Sequence, residues 1–124
     1  MSIQIHVKRI YDDPADEDGY RVLIDRLWPR GVRKEDAHFD AWVKDLAPSS
    51  ELRQWFAHDP ARFRDFGVRY RRELADHRRD LDELLAAAGP AGSLTLLYAA
   101  ADPVHNHAVV LRACLLEVAG TEAE

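Results

Sequence analysis

Ser93-Leu94-Thr95-Leu96-Leu97-Tyr98-Ala99 decides the fold class. The run is short, strongly apolar and bounded by Gly92 before it and Asp102-Pro103 after it, so it reads as a strand buried on both faces at the centre of a sheet. Asp102-Pro103-Val104-His105-Asn106-His107 follows as a turn or helix entry. Over residues 106–118, Ala108, Leu111, Leu115 and Val118 then lie on one side of a helix, with Val110 and Cys114 beside them. Strand, loop and helix in that order are the unit of an α/β domain.

Upstream, Asp59-Pro60 pairs an N-cap residue with proline at the first helical position. Phe63, Phe66, Tyr70, Leu74, His77, Leu81, Leu84 and Leu85 recur at helical spacing, and Gly89-Pro90-Ala91-Gly92 ends the stretch. The spacing predicts one long helix, or two with a kink, up to Ala88. Pro48-Ser49-Ser50 starts a shorter helix with Leu52, Trp55 and Phe56 on one face. Residues 39–46 suit a short strand or an irregular segment. Ile3, Ile5 and Val7 alternate with polar residues as a strand does, residues 12–19 are an acidic, turn-rich loop, and residues 20–27 give a second strand around Val22-Leu23-Ile24. Trp28-Pro29-Arg30-Gly31 breaks that strand. The expected fold is a small single-domain α/β architecture over residues 1–124, a mostly parallel sheet of about four strands with helices packed on it, and with residues 1–2 and 120–124 as frayed ends.

The chain has 124 residues, the length of one domain, and its 47% hydrophobic and 31% charged composition is that of a folded globule. A single cysteine, Cys114, excludes an internal disulfide and fits a reducing cytoplasm; mid-helix among apolar neighbours, it reads as a buried thiol. Neither a signal peptide nor an apolar stretch long enough to span a membrane is legible, so a cytoplasmic location is expected. The net charge of −5 disfavours nucleic acid as a partner. The arginines between residues 62 and 79 are interleaved with acids and read as an ion-paired solvent face. The P-loop, the dinucleotide-binding glycine pattern and the hydrolase nucleophile elbow are absent, and no cofactor is assigned.

Two loops draw attention because each follows an apolar strand, where ligands gather in open α/β sheets. In Asp25-Arg26-Leu27-Trp28-Pro29-Arg30-Gly31-Val32, Arg26 and Arg30 suit a phosphate, sulfate or carboxylate, and Trp28 offers a flat face to a ring or an arginine. The competing reading makes Trp28 a core residue and the arginines partners of local acids. In residues 102–107, the helix start favours an anion, Asn106 can cap the helix, and His107 can shuttle a proton. There the competing reading is a plain N-cap with solvated histidines. His58 adjoins the capping Asp59 and can join the same pocket. No metal site is assigned, since His105 and His107 do not share a helical face.

The segment from Arg21 to Val32, together with Trp42 and Lys44, Ala47-Pro48-Ser49, Leu52-Arg53, Trp55-Phe56, His58-Asp59-Pro60, Tyr70, Glu73-Leu74 and residues 96–108, resembles the YeaO-like proteins, a branch of domain of unknown function 488. The resemblance spans about Ile5 to Leu116. It departs at Ala101, where the family usually carries lysine. It implies a small single-domain α/β fold and no established activity. In the other branch of the family a Cys-His-Arg triplet occupies the place of Asn106-His107-Ala108, so the resemblance implies that this chain has no thiol nucleophile there.

The residues leave three functions open. One is an enzyme on a small anionic ligand, nucleotide-like in one version, with Arg26, Arg30 and Asn106 holding the anion, Trp28 stacking a ring, Asp25 or Asp102 as base and His107 as acid–base partner. The second is a noncatalytic metabolite- or protein-binding module using the same loops. The third is nucleic-acid contact through the basic segment from Arg21 to Lys34. All the ligand readings require the two loops to face one cleft.

Overall fold

The computed structural model describes residues 3–123, with side chains through residue 120. Four parallel strands form one sheet: β1 (Gln4–Arg9), β2 (Tyr20–Leu23), β3 (Ala41–Trp42) and β4 (Ser93–Tyr98), in the spatial order β1-β4-β2-β3. Four helices complete the chain: α1 (Ser50–Phe56), α2 (Phe63–Ala75), α3 (Arg78–Ala88) and α4 (His107–Ala123). β4 lies between β1 and β2, pairing Leu94 with Ile5 and Leu96 with Val7 on one side and Leu96 with Val22 on the other. Leu94, Thr95, Leu96 and Leu97 are fully buried, as the apolar run of β4 requires.

Strand alternation sorts the side chains onto two faces. Ile5, Val22, Ile24, Leu94, Leu96 and Tyr98 pack against all four helices, meeting Phe56, Phe66, Tyr70, Leu74, Leu81, Leu111 and Leu115 in the main core. Leu23 and Leu97 point the other way, where Ile10, Val32, Phe39 and Trp42 cover them without a helix. Arg21 and Thr95 are polar residues buried beside that second face. The Arg21 guanidinium is bound to the Asp18 carboxylate and the His38 carbonyl, and the Thr95 hydroxyl donates to the Asp18 carbonyl at 2.8 Å.

The expected second strand over residues 20–27 is shorter in the structure. The Ile24 N–H still donates to the Leu97 carbonyl at 3.1 Å, but one residue later a side chain takes over: Asp25 Oδ2 accepts from the Ala99 N–H at 3.0 Å. Main-chain pairing of β2 with β4 therefore ends at Asp25. The ambiguous stretch 39–46 contains the two-residue β3 and a 3-10 turn over Lys44–Leu46. The 60–88 stretch divides into a 3-10 turn, α2 and α3. Asp76 and His77 close the end of α2 with tight bonds to Glu73 and Leu74, and the His77 carbonyl accepts the first bond of α3 from Leu81. α1 begins where expected, with the Ser49 hydroxyl accepting from the Leu52 N–H at 3.1 Å. Of the residues expected to fray, 120–123 continue α4, and 1, 2 and 124 lie outside the described residues. Among the described residues no helix is long and apolar enough to cross a membrane.

Candidate functional site

A cavity of about 440 Å³ lies at the carboxyl end of the sheet, where pairing of β2 with β4 ends. Asp25, Arg26, Trp28, Arg30, His58, Asn106 and His107 all line it, so the two loops singled out in the sequence face one cleft. Asp102 does not line it. Its Oδ1 accepts from the N–H groups of Val104 (2.9 Å) and His105 (3.0 Å), and its Oδ2 meets His105 Nδ1 at 2.9 Å. Those backbone bonds, first that of His105, and the His105 ring hold the Asp102 carboxyl down to about 2. Asp102 thus organises the turn that delivers Asn106 and His107.

Asn106 is 1% exposed and caps α4: its Oδ1 accepts from the Val109 N–H at 3.2 Å, and its Nδ2 donates to the Asp102 carbonyl at 2.9 Å. His107, the first residue of the helix, turns Nε2 toward Asp25 Oδ1 at 2.9 Å, each side chain being 16% exposed. Both atoms are enclosed, and among the described residues neither meets any other hydrogen-bonding partner.

Arg26 is held by its own fork, Nε donating to the Pro48 carbonyl at 3.1 Å and a terminal nitrogen to the Ala47 carbonyl at 3.3 Å. Trp28 combines both roles weighed for it. Its ring packs edge-on to Trp42 at 5.4 Å and against Phe39 at 5.7 Å, its N–H donates to the Val32 carbonyl at 2.7 Å, and it still borders the cavity. The next turn carries Arg30 outward to solvent. Gly31 supplies the left-handed conformation there (φ 79°), and the Tyr11 hydroxyl pins the Arg30 carbonyl at 2.8 Å.

The opposite wall comes from α1 and α2. Phe56 and Phe66 stack at 4.3 Å and form an apolar side of the cavity, and Arg53 joins from the exposed face of α1. Ala57 and His58 follow with φ of 49° and 58°, two consecutive left-handed residues that are not glycine. That strained corner turns the chain sharply after α1 and sets the exposed His58 ring at the rim. Arg53 and Tyr11 are not legible as site residues: Arg53 enters the sequence reading only within the Leu52-Arg53 pair of the family resemblance, Tyr11 not at all, and the packing of α1 and the end of β1 brings them here.

The electrostatics of the lining are one-sided. Arg26, Arg30 and Arg53 stand against the single carboxylate of Asp25, and among the described residues none of the three guanidiniums is in an ion pair.

The family model described as the inactive DUF488-N3 subclade matches residues 4–124. The "Uncharacterized protein YeaO" of Escherichia coli (strain K12) is 43% identical over 109 residues, covering 88% of this chain and 94% of that protein. The "Uncharacterized protein Mb3100c" of Mycobacterium bovis and the "Uncharacterized protein Rv3073c" of Mycobacterium tuberculosis are each 44% identical over 108 residues, covering 87% of this chain and 90% of theirs. No solved structure matches. With nearly its whole length aligned to them, the chain belongs to the YeaO-like proteins of the DUF488 family.

Proposed function

We propose that the cavity at the carboxyl end of the sheet binds a small ligand bearing a phosphate or carboxylate, and binds it without turnover. One observation carries the reading: three arginines with no acidic partner line a concave, largely apolar site in a chain whose net charge is −5. Unpaired positive charge held in such a place is stabilised by an incoming anion, and the start of α4 adds a partial charge of the same sign. Arg30 and Arg53, exposed at the rim, meet the anion; Arg26, fixed by carbonyls, adds a rigid charge behind them.

The absence of turnover rests on the description of the matching subclade as inactive. The family resemblance agrees with it, since Asn106 stands where the other branch has a cysteine, and here the side chain serves as a helix cap. An enzyme remains the second reading for one specific reason, the Asp25–His107 contact, which has the form of a base oriented by a carboxylate. Nucleic acid is served less well: within the basic segment from Arg21 to Lys34, Arg21 is buried on Asp18 and Arg26 is held by the Ala47 and Pro48 carbonyls.

Calorimetric titration with inorganic phosphate and with phenyl phosphate tests the proposal. Arg30→Ala and Arg53→Ala should each weaken binding about 10- to 100-fold, the scale of a charged hydrogen bond. Unchanged affinity in both variants removes the anion from this cavity. Phenyl phosphate recovered as phenol after long incubation moves the protein to the enzyme reading.

A further inference from the structure

The Asp25–His107 contact joins the end of β2 to the start of α4. Oδ1 and Nε2 are fully enclosed, 2.9 Å apart, and neither has another hydrogen-bonding partner. The carboxylate cannot turn away, because its Oδ2 is held by the Ala99 N–H at 3.0 Å. Other groups around the ring are already committed. The Tyr70 ring lies edge-on at 6.4 Å and its hydroxyl donates to the Leu46 carbonyl, while Arg26 is bound to Ala47 and Pro48.

A bare carboxylate oxygen and an imidazole lone pair repel at this distance in an enclosed site, so one proton stands between them. Imidazole nitrogen is a stronger base than a carboxylate oxygen, which puts the proton on Nε2. A neutral imidazole has one donor and one acceptor nitrogen, so Nδ1 then carries the lone pair. His107 lines the cavity with Nε2 turned away into the protein, and Nδ1 is the ring nitrogen left for a ligand.

We infer that Asp25 is a positioning residue that fixes His107 as the Nε2–H tautomer, so that the cavity presents a hydrogen-bond acceptor and selects an anion that also carries an O–H or N–H group. Phe56 and Phe66 line the same cavity and give it an apolar wall suited to a ring, which makes the ligand class a hydroxylated or aminated ring bearing phosphate or carboxylate. The ligand class rests on the anion-binding reading above; the tautomer does not.

The closing experiment separates the two. Long-range ¹H–¹⁵N NMR correlations of the His107 ring, taken at an alkaline pH where the spectrum shows the neutral ring, report which nitrogen is protonated. The wild type should show Nε2 protonated and Nδ1 bare. In Asp25→Asn the amide oxygen keeps the Ala99 bond and the amide nitrogen faces Nε2, so the proton should move to Nδ1. Binding of phenyl phosphate is then compared with that of the three hydroxyphenyl phosphates. At least one isomer should bind the wild type about fivefold tighter than phenyl phosphate, the scale of one neutral hydrogen bond, and Asp25→Asn should erase that ratio. The ratio is the readout, since removing the Asp25 charge strengthens every anion. A wild-type ring protonated on Nδ1 or on both nitrogens, or a variant with the wild-type tautomer, overturns the positioning role; if the variant does not fold, the wild-type spectrum alone decides it. A ratio unchanged by the substitution, or no gain from any hydroxyl, overturns the selection. Failure of all the phosphates to bind overturns the anion reading and the selection with it, and leaves the tautomer to its own spectrum.

Discussion

Glu73 holds Ser49 by both of its oxygens: the Ser49 N–H donates to Oε1 at 2.8 Å and the Ser49 hydroxyl to Oε2 at 2.6 Å. The same hydroxyl accepts from the Leu52 N–H, so one serine caps α1 and ties it to α2. Glu73→Ala removes both charge-assisted acceptors and should cost about 2 kcal/mol in urea unfolding. Glu73→Gln keeps one carbonyl acceptor and should cost about half as much. Equal losses would show that the carboxylate charge alone matters.

Asp18 and Arg21 form a buried ion pair, each side chain 9% exposed, with Lys8 adding a second cation at 3.2 Å. Burial pushes the Asp18 carboxyl up, but the Ala15 N–H, Lys8 and Arg21 together outweigh it and hold it below the ordinary value. Asp18→Ala leaves Arg21 enclosed without a counter-charge and should cost about 3–5 kcal/mol.

Acid should weaken the protein through the same group. A carboxyl lowered in the folded state stabilises it above the unfolded value, near ~3.9, and loses that contribution as the pH falls through the folded value. Asp102 is lowered to about 2 and behaves alike. Stability measured by denaturant should therefore hold from neutral pH to about 4 and decline progressively toward 2, and the decline should be shallower in Asp18→Asn.

Gly19 sits at φ 65° with its α-carbon against β4: a Cβ there would stand 2.4 Å from the Ser93 carbonyl oxygen. Gly19→Ala combines a strained backbone with a clash against another backbone and should cost roughly 3 kcal/mol. A thermal midpoint within a degree of the wild type would mean that the start of β4 yields easily.

Ala57 has the opposite sign. It ends α1 in the left-handed conformation that glycine adopts freely, and its N–H closes the helix on the Arg53 carbonyl at 3.0 Å. Ala57→Gly should stabilise by about 0.5–1 kcal/mol, raising the thermal midpoint by roughly 2–5 °C. A drop instead would show that the corner depends on the methyl group.

The parts of the fold that rest on repetition were legible in the sequence. The apolar run of β4, the alternation of β1 and the helical spacing of α4 each identify their element, because burial imposes a period. The break between α2 and α3 was not placed, since neither glycine nor proline marks it and Phe66, Tyr70, Leu74, Leu81 and Leu85 keep one phase across it. β3 is too short to read from the sequence: two paired residues have no period. At the site, Asp25 and His107 could be named because they end or follow apolar strands. Asp102 carries the same local signature, and only tertiary packing distinguishes an aspartate that faces a cavity from one that folds a turn. Arg53 belongs to the site by the placement of α1, a relation with no trace in its neighbours along the chain.

The spatial order β1-β4-β2-β3 has a consequence for how the protein comes into being. β1 and β2 never touch as strands; each reaches the sheet through β4, which arrives only after residue 92. A nascent chain that has left the ribosome as far as α3 holds two residue pairs of sheet, between β2 and β3, and nothing to seat β1. Assembly must wait for the last strand and then proceed at once, with large loops closing together. The half-made polypeptide therefore exposes its apolar segments through most of synthesis, and chaperone demand should end abruptly once β4 and the α4 that covers the sheet have emerged, rather than decline with each element.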